Sequence, residues 1–199
     1  EGLGNQFLSN IRTCDAIAHV VRCFDDADIT HVEGSVDPIR DIEIINLELT
    51  LADLQTVENR IGKVERKALT TRDKDAMAEL DVLKKLQAVL LEGKAARSVE
   101  LDNDEYLLVK NFSLLTLKPM IYVANMSEDE IGDPESNEFY QKVCEYAKSE
   151  NNLVIPISAK IEEELSGMDK EDKEMFLQDL GIEESGLDKV VKAAYNILG

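Results

Sequence analysis

The stretch TLKPMIYVANMSE, residues 116–128, decides the fold prediction because a short apolar run in it leads directly into polar residues. Residues 120–125 of this stretch have the character of a buried β-strand, and so do AIAHVVRCF at 16–24 and LVIPIS at 153–158. Between the second and third runs, Asp133 and Pro134 predict an N-cap and a first helical residue. We therefore predict a βαβ unit with parallel strands, and an α/β fold.

Two helices are predicted to flank this sheet, one after Asp133 and one from Leu187 to Leu198. The apolar stripes that would face the core are Phe139, Val143, Tyr146 and Ala147 in the first helix, and Val190, Val191, Ala194 and Leu198 in the second. The first strand would leave an apolar edge open, so we expect further strands or a partner chain beside it.

The region between the first two strands, about 90 residues long, is mostly helical in pattern. Asp37 and Pro38 open a long amphipathic segment, and a polar turn at 69–72 separates it from a second one. The apolar positions recur at steps of three and four: Leu47, Leu51, Leu54, Ile61 and Val64, then Met77, Leu80, Leu83, Leu86 and Leu90. We predict an inserted antiparallel hairpin resembling a coiled coil, with domains at 1–36, 37–112 and 113–199. A packed seam alone is the simpler explanation of these leucines.

Composition restricts the partners of this chain. Its formal net charge of −19 repels nucleic-acid backbones and anionic lipid, so any contact with nucleic acid must be local.

Three cysteines without a CxxC pair match neither a disulfide framework nor a zinc site. No apolar run approaches the roughly 20 residues needed to span a bilayer, and no signal peptide opens the sequence. We expect a cytoplasmic protein without membrane contact.

Polar motifs follow the second and third predicted strands: Asn125-Met126-Ser127-Glu128 and Ser158-Ala159-Lys160. GTP-binding proteins have Asn-Lys-x-Asp and Ser-Ala-Lys at these places, about 30 residues apart as here. Nucleotide sites of doubly wound folds lie at the carboxyl ends of strands. The two motifs together therefore favour nucleotide binding, although Asn and Ser also end strands simply as turn residues.

Glu128 stands where a GTPase carboxylate accepts the N1–H and the N2 amino group of guanine. Its longer side chain moves that carboxylate, which weakens strict guanine recognition and makes the site compatible with adenine. Met126 stands in the place of the Lys whose stem covers the base, and its thioether is expected to pack on a purine face instead.

The sequence resembles the Obg-like ATPases, called YchF in bacteria, a branch of the translation-factor-like P-loop GTPases. The resemblance spans essentially all 199 residues and is carried by GLGNQFLSNIRTCDAIAHVVRCF (2–24), VDPIRDIEIINLELTLADL (36–54), TLKPMIYVANMSE (116–128) and FLQDLGIEESGLDKVVKAAYNILG (176–199). It implies a partial G domain with a coiled-coil insertion, ATP preferred over GTP, Mg²⁺ dependence and ribosome association. It also implies that Asn125, Met126 and Glu128 lie at the base, with the Ser158-Ala159-Lys160 loop behind it.

The residues that would bind phosphate are missing. No GxxxxGK[ST] run occurs, since Gly62-Lys63 is followed by Val64. In the family, Gly2 and Gly4 belong to the tail of the mobile switch after Asp-x-x-Gly, and we interpret Asp-x-x-Gly at 129–132 as coincidence. We therefore expect a fragment that lacks the P-loop and the family's TGS domain, contains no catalytic residue or metal ligand, and is inactive alone, while its parent hydrolyses ATP.

The tip of the predicted hairpin is basic. Between residues 60 and 74, six cationic side chains stand against Glu65 and Asp73, a local charge of +4. The six are Arg60, Lys63, Arg66, Lys67, Arg72 and Lys74. We predict a contact with ribosomal RNA, with a merely solvated helix face as the alternative.

Two alternatives limit the functional interpretation. His19 and His31 are candidates for proton transfer, but a lone His among apolar strand residues is more typical of a satisfied interior side chain. The rival to the nucleotide-binding hypothesis is a non-enzymatic interaction module, in which the coiled-coil hairpin binds a partner helix.

Overall fold

The computed structural model describes residues 4–25 and 35–199, in which a parallel three-stranded sheet is flanked by helices. The strands are β1 (Ile17–Arg22), β2 (Met120–Asn125) and β3 (Leu153–Ile157), in the order β1-β2-β3. Val20 pairs with Val123, and Val123 pairs with Ile155, so all three strands end at the same edge of the sheet. The α/β prediction and the parallel pairing are confirmed.

The α-helices of the described residues are α1 (Asn5–Arg12), α2 (Pro38–Thr71), α3 (Lys74–Leu91), α4 (Asn103–Val109), α5 (Glu138–Glu150), α6 (Ala159–Ser166), α7 (Lys170–Asp179) and α8 (Gly186–Leu198). Short 3₁₀ turns lie at Ala96–Ser98, Lys110–Phe112, Leu115–Leu117 and Pro134–Ser136. None of the helices in the described ranges is long and apolar enough to cross a membrane.

Local signals explain where the two longest helices begin. Asp37 accepts a hydrogen bond from the Arg40 backbone N–H (3.1 Å), and Pro38 is the first helical residue of α2, as predicted. Arg72 adopts a left-handed conformation (φ 53°) directly after α2. Asp73 then caps α3 by accepting from the Ala76 N–H (3.0 Å), so the turn between these helices is very short.

The predicted start of α5 at Asp133 and Pro134 is wrong. Pro134–Ser136 forms only a 3₁₀ turn, and the Asp133 side chain makes no capping hydrogen bond. The helix begins at Glu138, and Asn137 is its N-cap, accepting from the Tyr140 N–H (2.9 Å). Asn137 is favoured because its amide also donates to the Cys23 carbonyl (2.8 Å), which ties the start of α5 to the end of β1.

Tertiary contacts divide the chain into two compact units. The described part of the first unit is 4–15 and 43–118, and that of the second is 16–25, 35–42 and 119–199. Most of α2 and all of α3 belong to the first unit, whereas the sheet and α5 to α8 belong to the second.

The core of the helical unit joins α2 to α3, with a buried set comprising Val57, Ile61, Val64, Ala68, Leu80, Leu83, Leu86 and Leu90. Three predicted stripe positions are corrected, because Leu47, Leu51 and Met77 are 54%, 52% and 45% exposed. In α2 the buried face instead runs through Leu49, Asp53 and Val57 at four-residue steps, and an acidic residue in this series hides it from an apolar pattern.

Asp53 is fully buried and accepts three hydrogen bonds. They come from the Leu115 N–H (2.8 Å), the Thr116 N–H (2.7 Å) and the Thr116 hydroxyl (2.6 Å). The same Thr116 oxygen accepts from the Ala96 N–H (2.8 Å). Burial raises the pKa of the Asp53 carboxyl, and the bonds from Thr116 and Leu115 oppose that rise. This carboxylate anchors the 3₁₀ turn at Leu115–Leu117 to α2.

In the sheet unit, α8 covers Ile121, Val123 and Ile155. The α8 residues in this contact are Val190, Ala193, Ala194 and Ile197. Two predicted contacts are corrected, because Val191 and Leu198 are 46% and 49% exposed. Strand β1 is less buried than predicted, since it lies at the edge of the sheet and Val20 is 58% exposed.

Candidate functional site

A cavity of about 440 Å³ lies where the three strands end, a volume typical of small-molecule sites. It is lined by Phe24, Asp25, Asn125, Met126, Ser127, Glu128, Asp129, Ser158, Ala159 and Lys160. The structure therefore brings together the two motifs singled out in the sequence, together with the residues that follow β1.

Asn125 ends β2 and holds the third-strand loop in place. Its Oδ1 accepts from the Ala159 backbone N–H (2.9 Å), while Met126 N–H donates to the Ile157 carbonyl (2.9 Å). On the other side, the Cys23 N–H donates to the Asn125 carbonyl (2.7 Å). Because Oδ1 is used by the loop, the amide nitrogen of Asn125 is the group that can donate to a ligand in the cavity.

Ser158 is buried and serves as the N-cap of α6, with its hydroxyl accepting from the Ile161 N–H (3.3 Å). The Ala159 N–H is already bonded to Asn125, so it is not free for a base oxygen. These two residues shape the loop, and their backbone atoms form part of the cavity wall.

Glu128 and Lys160 form an ion pair at the cavity, with 2.9 Å between Lys160 Nζ and Glu128 Oε1. Their side chains are 41% and 66% exposed. The hydrogen bond to Glu128 and the charge of that carboxylate raise the pKa of Lys160. The sequence proposed both residues for the base site but did not indicate that they would pair with each other.

Met126 is only 1% exposed but belongs to the cavity lining, so packing of its thioether on a purine face stays a prediction. The side chain packs inside the protein directly after β2.

Phe24 and Asp25 line the same cavity and were missed by the motif argument. They follow β1, the third strand end at this edge of the sheet, so the rule that ligands bind at strand ends indicates them. The Arg22 guanidinium lies 5.8 Å from the centre of the Phe24 ring. Phe24 supplies the cavity with an aromatic surface that is suited to stacking.

The charge of the cavity lining selects the part of a nucleotide that fits there. Three carboxylates, Asp25, Glu128 and Asp129, stand against the single ammonium of Lys160. An anionic phosphate is disfavoured in these surroundings, whereas an uncharged heterocycle with donors and acceptors is not. In the ranges 4–25 and 35–199 no group of three or more His, Cys, Asp or Glu side chains converges as a metal site.

Gly4 and His19 are not among the residues that line this cavity. Gly4 is the N-cap of α1 and has extended backbone angles (φ −67°), while Gly2 and His31 fall outside the described residues. The buried Nδ1 of His19 has no hydrogen-bond partner within the described ranges 4–25 and 35–199, which differs from the expected satisfied interior side chain. Burial lowers the pKa of His19, and the Asp41 carboxylate opposes this more weakly.

The predicted RNA-contact residues flank the turn between α2 and α3, and Arg60 differs from the rest. Its guanidinium is paired with Glu79 (Nε to Oε1, 2.6 Å) and lies 5.5 Å from the centre of the Phe112 ring. Lys67 is within 3.6 Å of the Asp73 carboxylate. The exposed cations at this turn are Lys63, Arg66, Lys67, Arg72 and Lys74.

The three cysteines differ in environment. Cys14 is exposed, whereas Cys23 is buried and burial raises its pKa to about 12. Burial also raises the pKa of Cys144.

Comparison with known proteins agrees with this geometry. The chain is 56% identical over 199 residues to the ribosome-binding ATPase YchF of Bacillus subtilis (strain 168), and 46% identical over 198 residues to that of Escherichia coli O157:H7. Over its whole length, the chain is similar to YchF. A solved YchF GTPase structure from Schizosaccharomyces pombe matches 98% of the chain with a TM-score of 0.86 and 37% identity.

The YchF matches cover only part of each related protein. Each YchF comparison spans all or nearly all of this chain but only 53–54% of the related protein, so the chain spans about half the length of its curated relatives. No protein-family model matches the chain. The YchF relationship therefore rests on individual relatives and on the shared fold.

Proposed function

We propose that this chain contributes the base-binding part of a nucleoside triphosphatase of the YchF kind, with ATP preferred and GTP as a second substrate. One observation carries the proposal: a cavity at the carboxyl ends of parallel strands gathers Asn125, Glu128, Lys160 and the Phe24 ring. A purine fits this lining, since the Asn125 amide can donate to a ring nitrogen, and the aromatic ring offers a stacking surface.

The proposed reaction of the full-length protein is ATP hydrolysis, and the proposed partner is the ribosome. The relatives' names, ribosome-binding ATPase and GTPase, support both proposals. We further propose Mg²⁺ as the companion of ATP and a cytoplasmic location, as expected of a ribosome-associated NTPase. Among the described residues there is no cluster of metal ligands.

Within the 199 residues there is no GxxxxGK[ST] run, so we propose that this chain alone does not hydrolyse ATP. The Asn125 and Glu128 side chains select a base and perform no chemistry at phosphate. Turnover of ATP by the isolated chain well above a buffer control would overturn this division of roles.

The test of base binding is Asn125→Asp in the full-length protein. This substitution keeps an oxygen for the Ala159 N–H and removes the amide donor, so the loop is retained and base recognition is lost. We expect affinity for ADP, measured by calorimetry, to fall by about tenfold to a hundredfold, the equivalent of a lost buried hydrogen bond.

Asn196→Asp is the matched control, because it makes the same chemical change at an exposed position on α8. It should leave ADP affinity unchanged. If Asn125→Asp and the control both bind ADP with wild-type affinity, the proposed base site is wrong.

One observation supports the rival function, an interaction module. Ile44, Leu47 and Leu51 of α2 are 42%, 54% and 52% exposed at steps of three and four, so they share one helix face. Such a face can bind a partner helix. If nucleotide binding is the function of this chain, replacing all three residues with Ser should leave ADP binding intact. If the replacement abolishes binding of a protein partner and changes nothing else, the rival function is favoured.

A further inference from the structure

The Glu128 carboxylate is not a free acceptor in this structure. Lys160 Nζ lies 2.9 Å from Glu128 Oε1, and both side chains line the base cavity. Lys160 is the second residue of α6, and Glu128 is the third residue after β2, so the pair links the two loops of the site. The charges of Glu164 and Asp129 also act on Lys160, more weakly than that of Glu128.

Guanine and adenine make different demands on this carboxylate. Guanine presents two adjacent donors, N1–H and the N2 amino group, and the two oxygens of a carboxylate accept one each, so an ammonium held at one oxygen competes with a guanine donor there. Adenine presents one amino donor and an N1 acceptor, and a bare carboxylate repels that acceptor. A carboxylate with one oxygen engaged by an ammonium therefore suits adenine better than guanine.

The neighbouring backbone also favours adenine over guanine. The Ala159 N–H donates to Asn125 Oδ1 and is not free to meet the O6 acceptor of guanine. Guanine would thus have to compete with two existing interactions, the Lys160 hydrogen bond and the Ala159 hydrogen bond, whereas adenine competes with neither.

We propose that Lys160 is a specificity-determining residue, which favours adenine over guanine by engaging the carboxylate of Glu128. This inference rests on the proposed nucleotide-binding function and adds the element that sets the base preference. The Glu128–Lys160 pair is solvent-exposed, so its effect is modest, a factor of about three to ten in the ratio of the two affinities.

The experiment measures dissociation constants for ADP and GDP with the full-length protein. Diphosphates keep the phosphate end constant and avoid hydrolysis. Lys160→Met keeps the length and the apolar stem but removes the charge. We expect GDP affinity to rise and ADP affinity to fall, so that the ADP preference drops about threefold to tenfold. Lys160→Arg should retain the wild-type preference.

Two further variants separate this mechanism from a general effect of charge. Lys173→Met removes a charge from the exposed surface of α7, outside the cavity, and should leave the preference unchanged. In a Glu128→Gln background, Lys160→Met should no longer shift the preference, since its effect operates through the carboxylate. An unchanged ADP-to-GDP ratio in Lys160→Met overturns the proposal.

A salt titration of the wild-type protein gives an independent reading if a variant fails to fold. The exposed ion pair is screened as KCl rises from 50 to 500 mM, so the ADP preference of the wild type should decline. A preference that is independent of salt overturns the proposal. If the wild type binds neither nucleotide while it is folded, the proposed function fails as well, which is distinguishable from an unchanged ratio.

Discussion

Gly186 opens α8 at a point where no side chain fits. A Cβ on this residue would lie 2.3 Å from Ile157 Cγ2 and 2.9 Å from Ile157 Cβ, and the Gly186 N–H donates to the Glu162 carboxylate (2.8 Å). The close approach of helix to strand therefore depends on glycine. Substitution must move α8, the Ile157 side chain or both.

We expect Gly186→Ala to lower the free energy of unfolding by about 1–3 kcal/mol through overpacking, as measured by urea denaturation. Gly62→Ala is the matched control, because nothing lies within 4 Å of a Cβ at this position in the interior of α2. It should stabilise the protein by about 0.5–1 kcal/mol. Equal effects of the two substitutions would contradict the packing explanation.

His19 makes stability depend on pH in a predictable direction. Burial lowers its pKa in the folded state, so between the folded and unfolded pKa values the unfolded chain binds more protons. The stability that neutral His19 contributes is complete above the pKa of the unfolded state, and it is lost as the pH falls below that pKa. Between pH 7.5 and 5.5, wild type should lose up to about 1 kcal/mol more than His19→Phe, in paired urea titrations.

Phe at position 19 is chosen because it can preserve the ring contact with Tyr122, whose centre lies 5.9 Å from that of His19. The many carboxylates titrate in both proteins, so only the difference between them reports on His19. Parallel pH profiles for the two proteins would show that protonation of His19 is not linked to folding.

At the scale of single residues, the sequence predicted part of the candidate site. Asn125 and Glu128 follow from a motif placed after a strand, and Lys160 from a second motif. The pairing of Glu128 with Lys160 could not be predicted, because the two residues are 32 positions apart and meet only through the register of β2 and β3. The motif also placed Met126 in the cavity lining, but it could not indicate that the side chain is almost fully buried, because a motif gives a position and not the direction of a side chain.

At the scale of elements, strands and helix starts followed from local chemistry, whereas buried faces did not. The β-branched runs predicted all three strands, and Asp37-Pro38 predicted the start of α2. The core-facing side of α2 was misassigned because Asp53 occupies it, and only contacts with Leu115 and Thr116, about 60 residues away, make that burial possible. The α5 cap was misassigned for the same kind of reason, since Asn137 is held by Cys23.

The Asp53 network is expected to determine how firmly the 3₁₀ turn at Leu115–Leu117 is held. Asp53→Asn keeps the shape but turns an NH₂ group toward a backbone donor, so we expect a loss of about 1–3 kcal/mol in the free energy of unfolding. Asp81→Asn, at an exposed position in α3, should change it by less than about 0.5 kcal/mol. Chemical denaturation of both variants measures this, and equal stabilities would show that the buried hydrogen bonds do not contribute.

For the whole molecule, charge is distributed unevenly. The net charge is −19, yet exposed cations cluster around the turn between α2 and α3. Contact of this cluster with RNA stays a prediction, from which Arg60 is best removed because it is paired with Glu79. The domain limits 1–36, 37–112 and 113–199 also stay a prediction.

Reversing Lys63, Arg66 and Lys67 to Glu should weaken ribosome co-sedimentation by about tenfold or more at low salt, because each phosphate contact contributes to a salt-dependent attraction. The control reverses Lys142, Lys148 and Lys173, three exposed lysines on α5 and α7. It has a closely similar change in net charge and should bind normally. Equal loss in both triple variants would assign the effect to total charge rather than to this surface.

The cysteines differ in environment, and this difference allows site-selective labelling for spectroscopy. Cys14 is exposed, while Cys23 is buried and has a pKa of about 12, so at neutral pH a maleimide dye meets a far more reactive thiol at position 14. Cys144, with its pKa also raised, reacts slowly by comparison. A single fluorophore can therefore be attached after α1 without removing any native cysteine, which makes distance measurements feasible on the unmodified sequence.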